Sequence, residues 1–284
     1  VSQDKISSKS SSQSAGFSLT ELLVVIVMFG LITTATYSLF REQGRISRTQ
    51  QSILDMQSNG RAAINFLAQS FSHAGFGSGD TTPKFFDFTN SNPDKATITF
   101  GHKHVATVTS PIGTNPTKNI SYSLATGQSI SVDNMICIFP SLAPNVSHQV
   151  KKIGPPLEVE FDLVIVPAGA KIFRVHPVEF YVNNEVLYIN DSDGEAPIVF
   201  DVAAFELAYR EKGSTAWLEG TKNVDNPHAV YIYLVLKTKE TEPGFKQGNP
   251  FELPWDKSNK PTMTIKDGYH YQSFETIVWI RNAK

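Results

Sequence analysis

Glu21 is the residue whose position most demands a chemical explanation, because it stands at the threshold of a long uncharged run. From Leu22 to Phe40 the chain has 19 residues without a charge, close to the ~20 a helix needs to cross the hydrocarbon layer. A carboxylate at the centre of a bilayer helix costs on the order of 2.5–3.5 kcal/mol, and somewhat less near its end. Such a residue needs a partner. Cleavage of the chain after Gly16 would create one: the new α-amino group of Phe17 lies four residues before Glu21, on the same helical face. The helix dipole also favours negative charge in the first turn. In an assembly the carboxylate could instead meet a neighbour's amino terminus, and only one stagger would bring those two charges together.

Other residues that could do chemistry are less constrained. Asp191-Ser-Asp-Gly-Glu195 has acidic spacing that could bind calcium, but it lacks the twelve-residue loop of an EF-hand. It reads as a solvated hairpin turn, with a cation site as the alternative. His102 and His104 would share one face of a strand, as two metal ligands might, but no third ligand has suitable spacing. They read as a surface pair, and His176 and His228 are isolated. Cys137, the only cysteine, lies in the apolar run Met135-Ile-Cys-Ile-Phe139 and reads as a buried strand thiol. There is no Gly-x-Ser-x-Gly, no phosphate loop and no Cys-x-x-Cys-His. No catalytic residue, cofactor or metal is therefore expected. Lys151-Lys152 and Lys237/Lys239 are small basic groups in a chain of net charge −2, so no nucleic-acid partner is expected either.

The elements around Glu21 follow from composition. Residues 1–16 are polar and Ser-rich, with Lys5 and Lys9 against Asp4, and read as a disordered leader. A secretory signal peptide would carry its small-residue cleavage site after an apolar stretch of roughly 7–15 residues. Here Ala15-Gly16 precedes the stretch, and Ala35 offers only a poor downstream site. A plain membrane anchor leaves Glu21 unexplained. Residues 17–40 are the expected transmembrane helix, densest from Leu22 to Ile32 and weakened by Thr33, Thr34, Thr36 and Ser38. Residues 41–72 continue it as an amphipathic helix. Ile46, Ile53, Met56, Gly60, Ile64, Leu67 and Phe71 form the apolar stripe, opposite Arg48, Gln51, Asp55, Asn59 and Gln69. No proline interrupts 17–72, whereas Gly30, Gly44 and Gly60 each cost ~1 kcal/mol relative to Ala. Glycines at His73-Ala-Gly75-Phe-Gly77 should end the helix.

Residues 73–284 read as one β-rich domain. Strands are expected at Ala96–Phe100, Ser129–Phe139, Leu157–Val166, Val178–Tyr181, Val186–Ile189, Ile198–Tyr209, Ala229–Lys237 and Gln272–Ile280. Asn183-Asn184 and Asp191–Glu195 would separate paired strands. The expected fold is α+β: a long N-terminal helix, its first half spanning the membrane and its second half amphipathic, packed on a mostly antiparallel β-sheet. Loops 73–93 and 240–270 are rich in Pro, Gly, Asn and Asp. In the second, Phe251 and Pro254-Trp255 read as local cover for the core, with a partner surface as the alternative.

Gly16-Phe17-Ser-Leu-Thr-Glu21-Leu-Leu23 resembles the processing motif of type IV prepilins and of type II secretion pseudopilins. The resemblance implies a pilin-like fold, cleavage after Gly16 and N-methylation of Phe17 by a membrane prepilin peptidase, and an assembly role for Glu21. Further blocks are similar to the PilW family of minor pilins: Gln57–Leu67, Ala74-Gly-Phe76, Phe180–Tyr188, Pro197–Val202, Phe205–Tyr209 and Phe274–Asn282. That likeness implies a minor pilin at or near the filament tip, where it primes assembly. Its partners would be other minor and major pilins and the inner-membrane assembly platform. Its place would be the inner membrane as a single-pass protein, leader cytoplasmic and C-terminal domain periplasmic, and then the pilus at the cell surface, in twitching and adhesion. The alternatives are a J-like minor pseudopilin of a type II secretion system and a tip-borne module binding DNA or surfaces. Two features depart from the pattern. Arg41, Arg45 and Arg48 outnumber Lys5 and Lys9, opposite to what the positive-inside rule asks of this orientation. The proline often found beyond a span glycine such as Gly30, where family helices can unwind, is Ser38 here.

Overall fold

The computed structural model describes residues 18–77, 86–89, 94–115, 117–139, 148–163, 165–219, 227–247 and 265–280. Among these residues one helix, α1 (Leu19–Ser72), is followed by β1 (Phe86–Thr89), β2 (Lys95–Val108), β3 (Thr117–Ile120), β4 (Tyr122–Leu124), β5 (Met135–Phe139), β6 (His148–Lys152) and β7 (Leu157–Leu163). Then come β8 (Lys171–Asn183), β9 (Val186–Asp191), β10 (Gly194–Val199), β11 (Val202–Glu211), β12 (Leu218–Glu219), β13 (Pro227–Lys237) and β14 (Tyr271–Trp279). The chain divides into two units, one up to Gln50 and one from Gln51 on.

In the first unit α1 is long and apolar enough to cross a membrane, and none of its most apolar window is buried. Thr33, Thr34 and Thr36 were expected to weaken this stretch, yet their hydroxyls donate to Phe29 O, Gly30 O and Ile32 O at 2.7, 2.9 and 2.8 Å. Ser38 does the same to Ala35 O at 2.8 Å. Each hydroxyl is satisfied by the helix itself, the condition a polar side chain must meet in hydrocarbon. Gly30 and Gly44 sit within continuous helix, with open space where a Cβ would go.

In the second unit α1 buries Ser52, Met56, Gly60, Ala63, Ile64, Leu67 and Phe71. The expected stripe is corrected at its start: Ile46 is 47% exposed and Ile53 only half-buried. Ser52 and Ala63 join it because small side chains let the helix approach closely. Gly60 is the extreme case, since a Cβ there would lie 2.3 Å from the Phe274 ring. The helix ends at Ser72, and Gly75 and Gly77 follow at φ 78° and 76°, a left-handed conformation that glycine adopts without steric cost. Gly75 N donates to Thr99 O at 2.9 Å, tying the helix exit to β2.

The helix and antiparallel β-structure are as expected, with the described strands divided between two sheets. The larger runs β1-β2-β8-β5-β6-β7-β3, with β9 and then β10 branching from β8 and β4 from β2; the smaller runs β12-β11-β13-β14. Every pairing among the described strands is antiparallel. The expected strand Ile198–Tyr209 is two strands, broken where Asp201 takes φ 60°. The expected strand Ser129–Phe139 begins only at Met135, after a turn in which Ser131 N donates to Asn134 Oδ1 at 2.9 Å. The β8–β9 hairpin turns at Asn184-Glu185, one residue later than expected, with φ 49° and 61°. Two successive positive φ values match the twist of a two-residue hairpin.

β13 shows why two sheets suit this sequence. Its even positions Val230, Ile232, Leu234 and Leu236 join a core with the helix residues Met56, Ile64, Leu67 and Phe71 and with both sheets. Its odd positions Tyr231, Tyr233 and Val235 lie in a second cluster on the opposite face, with Tyr271 and Trp217. The alternation is real, but both faces are covered. A third cluster fills the part of the larger sheet built from β5, β6, β7 and the end of β2.

Candidate functional site

Glu21 lies in the first turn of α1. Its carboxylate is turned toward the helix start: Ser18 N donates to Glu21 Oε2 at 3.2 Å. Leu22 N donates to Ser18 O at 3.1 Å, which makes Ser18 the capping residue. This is one half of a capping box, in which the acid three residues after the cap satisfies the cap's own N–H. The Ser18 hydroxyl shares a 2.7 Å hydrogen bond with Thr20 Oγ1. Ser18-Leu-Thr-Glu21 carried this signal in the sequence, as the Ser-x-x-Glu pattern ahead of an apolar run, and it was not read there. Gly16 and Phe17, the expected cleavage and methylation residues, lie outside the described residues, as do residues 1–15.

The remaining candidates are placed as follows. The Asp191–Glu195 segment is the turn joining β9 to β10, as expected. Its acids are held by the protein: Lys103 Nζ pairs with the Asp193 carboxylate, the Tyr181 hydroxyl donates to Glu195, and Asp193 N donates to Asp191 Oδ1 at 2.7 Å. Among the described residues no three His, Cys, Asp or Glu side chains gather as metal ligands would. His102 and His104 both lie in β2, but the strand is irregular at Gly101/Lys103 and His104/Ala106, so simple alternation does not hold there. His104 shares a 3.2 Å hydrogen bond with Thr107 Oγ1 and tilts against Phe173.

Of the basic groups, Lys151, Lys152 and Lys239 are exposed and Lys237 is not. Lys237 is buried, pairs with Glu185 Oε2 at 2.5 Å, and lies 5.1 Å from the Tyr269 ring centroid. That corrects its reading as part of a small basic group. The partner comes from the β8–β9 turn, which sequence spacing does not bring near. Lys151 pairs with Glu160 at 3.8 Å. Cys137 is buried as expected, and burial pushes its thiol up to about 12, leaving it protonated and unreactive. Its Sγ would lie 2.4 and 2.6 Å from a Cβ added at Gly77 or Gly101, so both glycines make room for it. Phe251, Pro254 and Trp255 lie outside the described residues.

Residues 11–37 match a family model described as the prokaryotic N-terminal methylation motif. The chain thus carries the N-terminal motif of type IV prepilins, and Glu21 falls within it. Among solved structures, a type IV-like pilin from Thermus thermophilus is similar, with a TM-score of 0.45 and 14% identity over 80% of this chain and 98% of that one. A search of curated proteins gave no match.

Proposed function

We propose that this protein is a minor type IV pilin, a structural subunit that primes pilus assembly and sits at or near the filament tip. The observation that most supports this is the methylation motif over residues 11–37, leading directly into an apolar helix with none of its most apolar window buried. In this reading residues 1–16 are a cytoplasmic leader and residues 17–40 cross the inner membrane. The sheet-bearing part is periplasmic until the subunit reaches the pilus. Prepilin peptidase cuts after Gly16 and methylates Phe17. Glu21, already aimed at the helix start, then meets the new amino group, in its own chain or in a neighbouring pilin's. The exposed apolar helix packs among those of other minor and major pilins, on the inner-membrane platform. The role is structural and not enzymatic.

Mass spectrometry of the mature N-terminus tests the processing step. A methylated Phe17 is expected, and an intact leader in mature filaments would overturn the reading. Glu21→Ala should abolish incorporation, so normal piliation in that variant would remove the assembly role of Glu21. A deletion strain that loses secretion but keeps twitching would assign the protein to a type II secretion pseudopilus instead.

A further inference from the structure

The smaller sheet ends on β14, whose register against β13 runs without a bulge from Lys237↔Tyr271 to Ala229↔Trp279. In an antiparallel pair, residues alternate between those that bond across and those whose N–H and C=O point away. Three contacts fix which are which. Ile280 N donates to His228 O at 3.1 Å, so even-numbered residues face β13. Lys237 N donates instead to Asp201 O at 2.9 Å, so the Lys237↔Tyr271 pair turns apart. On the outer side Tyr271 N donates to Gln247 Oε1 at 3.4 Å, and Tyr271 O accepts from Gln247 Nε2 at 3.5 Å. It follows that Ser273, Glu275, Ile277 and Trp279 aim their backbone N–H and C=O outward. Among the described residues nothing pairs with these groups.

The side chains beside this edge are selective. Ile277 and Trp279 are 46% and 52% exposed. The Glu275 carboxylate is engaged, accepting from the Tyr231 hydroxyl at 2.7 Å. Arg210 lies in the same cross-strand row as Trp279, through Ala229. Its guanidinium sits 5.1 Å from the Trp217 ring centroid and 5.0 Å from that of Trp279, and no ion pair engages it among the described residues. Stacking between indoles holds the planar fork in place while leaving its N–H groups for a carboxylate.

We propose that this outer edge of β14, unpaired among the described residues, receives an extended segment of a different polypeptide, which adds as a further strand along Ser273–Trp279 and sets an acidic side chain on Arg210. Main-chain hydrogen bonds supply affinity in such strand addition, and side-chain pockets supply choice. Here the choice is a carboxylate, because an apolar segment laid over Arg210 would leave a cation unpaired. A second copy of β14 fits less well: its one acid, Glu275, is already bound to Tyr231.

The test uses the full chain in detergent micelles and the peptide acetyl-Thr-Val-Thr-Val-Thr-Glu-amide. Two controls carry Gln in place of Glu, or N-methyl groups on alternate amides. Amide exchange is followed by NMR. In the free protein the amides of Ser273, Glu275, Ile277 and Trp279 should exchange fast while those of Phe274, Thr276 and Val278 are protected. The peptide should slow the four outward amides, the Gln version should bind about tenfold more weakly, and the N-methylated version should not bind. Arg210→Gln, checked by intact protection at Phe274, Thr276 and Val278, should bind the Glu and Gln peptides equally. The proposal is overturned if millimolar peptide gives no protection, if N-methylation makes no difference, or if wild type does not distinguish Glu from Gln. Protection of the four amides in the free chain also overturns it, with loss on dilution pointing to a second copy and persistence to the chain's own coverage.

Discussion

The two stretches of α1 belong to one continuous helix and carry two different side-chain patterns. Up to Phe40 its large apolar side chains point outward on all sides, from Leu22 through Ile32 to Phe40 itself, and all are exposed. From Ser52 to Phe71 the buried apolar side chains, Met56, Ala63, Ile64, Leu67 and Phe71, are confined to one stripe, while Leu54 and Phe66 off it are exposed. A helix hydrophobic all round finds its solvent in lipid or in other helices, whereas a striped helix finds it in its own sheet. Backbone propensity does not separate the two stretches, since both hold glycines and neither holds proline. The pattern of side chains does.

The comparison is broken most sharply by paired truncations. Leu67, fully buried, cut to Ala should cost about 2–5 kcal/mol in urea or thermal unfolding of the sheet-bearing unit. Leu23→Ala should leave that unfolding unchanged and lower membrane retention or subunit incorporation instead. Equal effects of the two on unfolding would show that the stretches are not energetically distinct. Gly60→Ala comes next. It gains helix propensity of ~1 kcal/mol, but its methyl meets the boxed-in Phe274 ring at 2.3 Å. A net loss of about 1–3 kcal/mol is expected from overpacking, while Gly44→Ala, with open space around it, should be neutral or stabilising.

A smaller effect should appear in alkali. The Cys137 thiol is raised from 9.0 to about 12 by burial, so the folded state holds a proton that the unfolded state releases. Stability should therefore be unaffected below about pH 9 and fall as pH rises from there toward 12. Tyr231 and Tyr233, also raised by burial, act in the same direction. Cys137→Ala should flatten part of that alkaline slope in a denaturation series, and an unchanged slope would mean the thiol does not contribute. The smallest effect belongs to Thr34→Val in the first stretch. It removes a hydroxyl that bonds only Gly30 O, and should change stability and membrane insertion by no more than about 0.5 kcal/mol.

What could be read from the sequence was whatever has a period. The buried helix stripe from Met56 to Phe71 was legible, as were the helix end at the glycines after Ser72 and the alternating strands β8, β9, β13 and β14. The strands β3, β4, β6 and β12 were not, because Thr117-Lys-Asn-Ile120 and His148-Gln-Val-Lys-Lys152 carry no alternating apolar run. They are strands because neighbouring strands pair with them. The division into two sheets is also a matter of which strand meets which, and local pattern does not encode that. At the candidate site Glu21 stands out as a charge at the entrance of an uncharged run, four residues after Phe17, while the signal for its bond to Ser18 is the Ser-x-x-Glu capping pattern. Gly60 read as a weak point in a helix. The contact with Phe274, more than 200 residues away in the chain, turns it into a point of close approach.

The chain's one cysteine lies shielded between the backbones of Gly77 and Gly101. The native protein therefore comes with a silent thiol background. A cysteine placed at Leu23, at Thr276 or anywhere else on the surface becomes the single position open to a maleimide dye, a spin label or a cross-linker. Distances along the helix and contacts at the β14 edge can then be mapped one site at a time, without first replacing a residue that the core depends on.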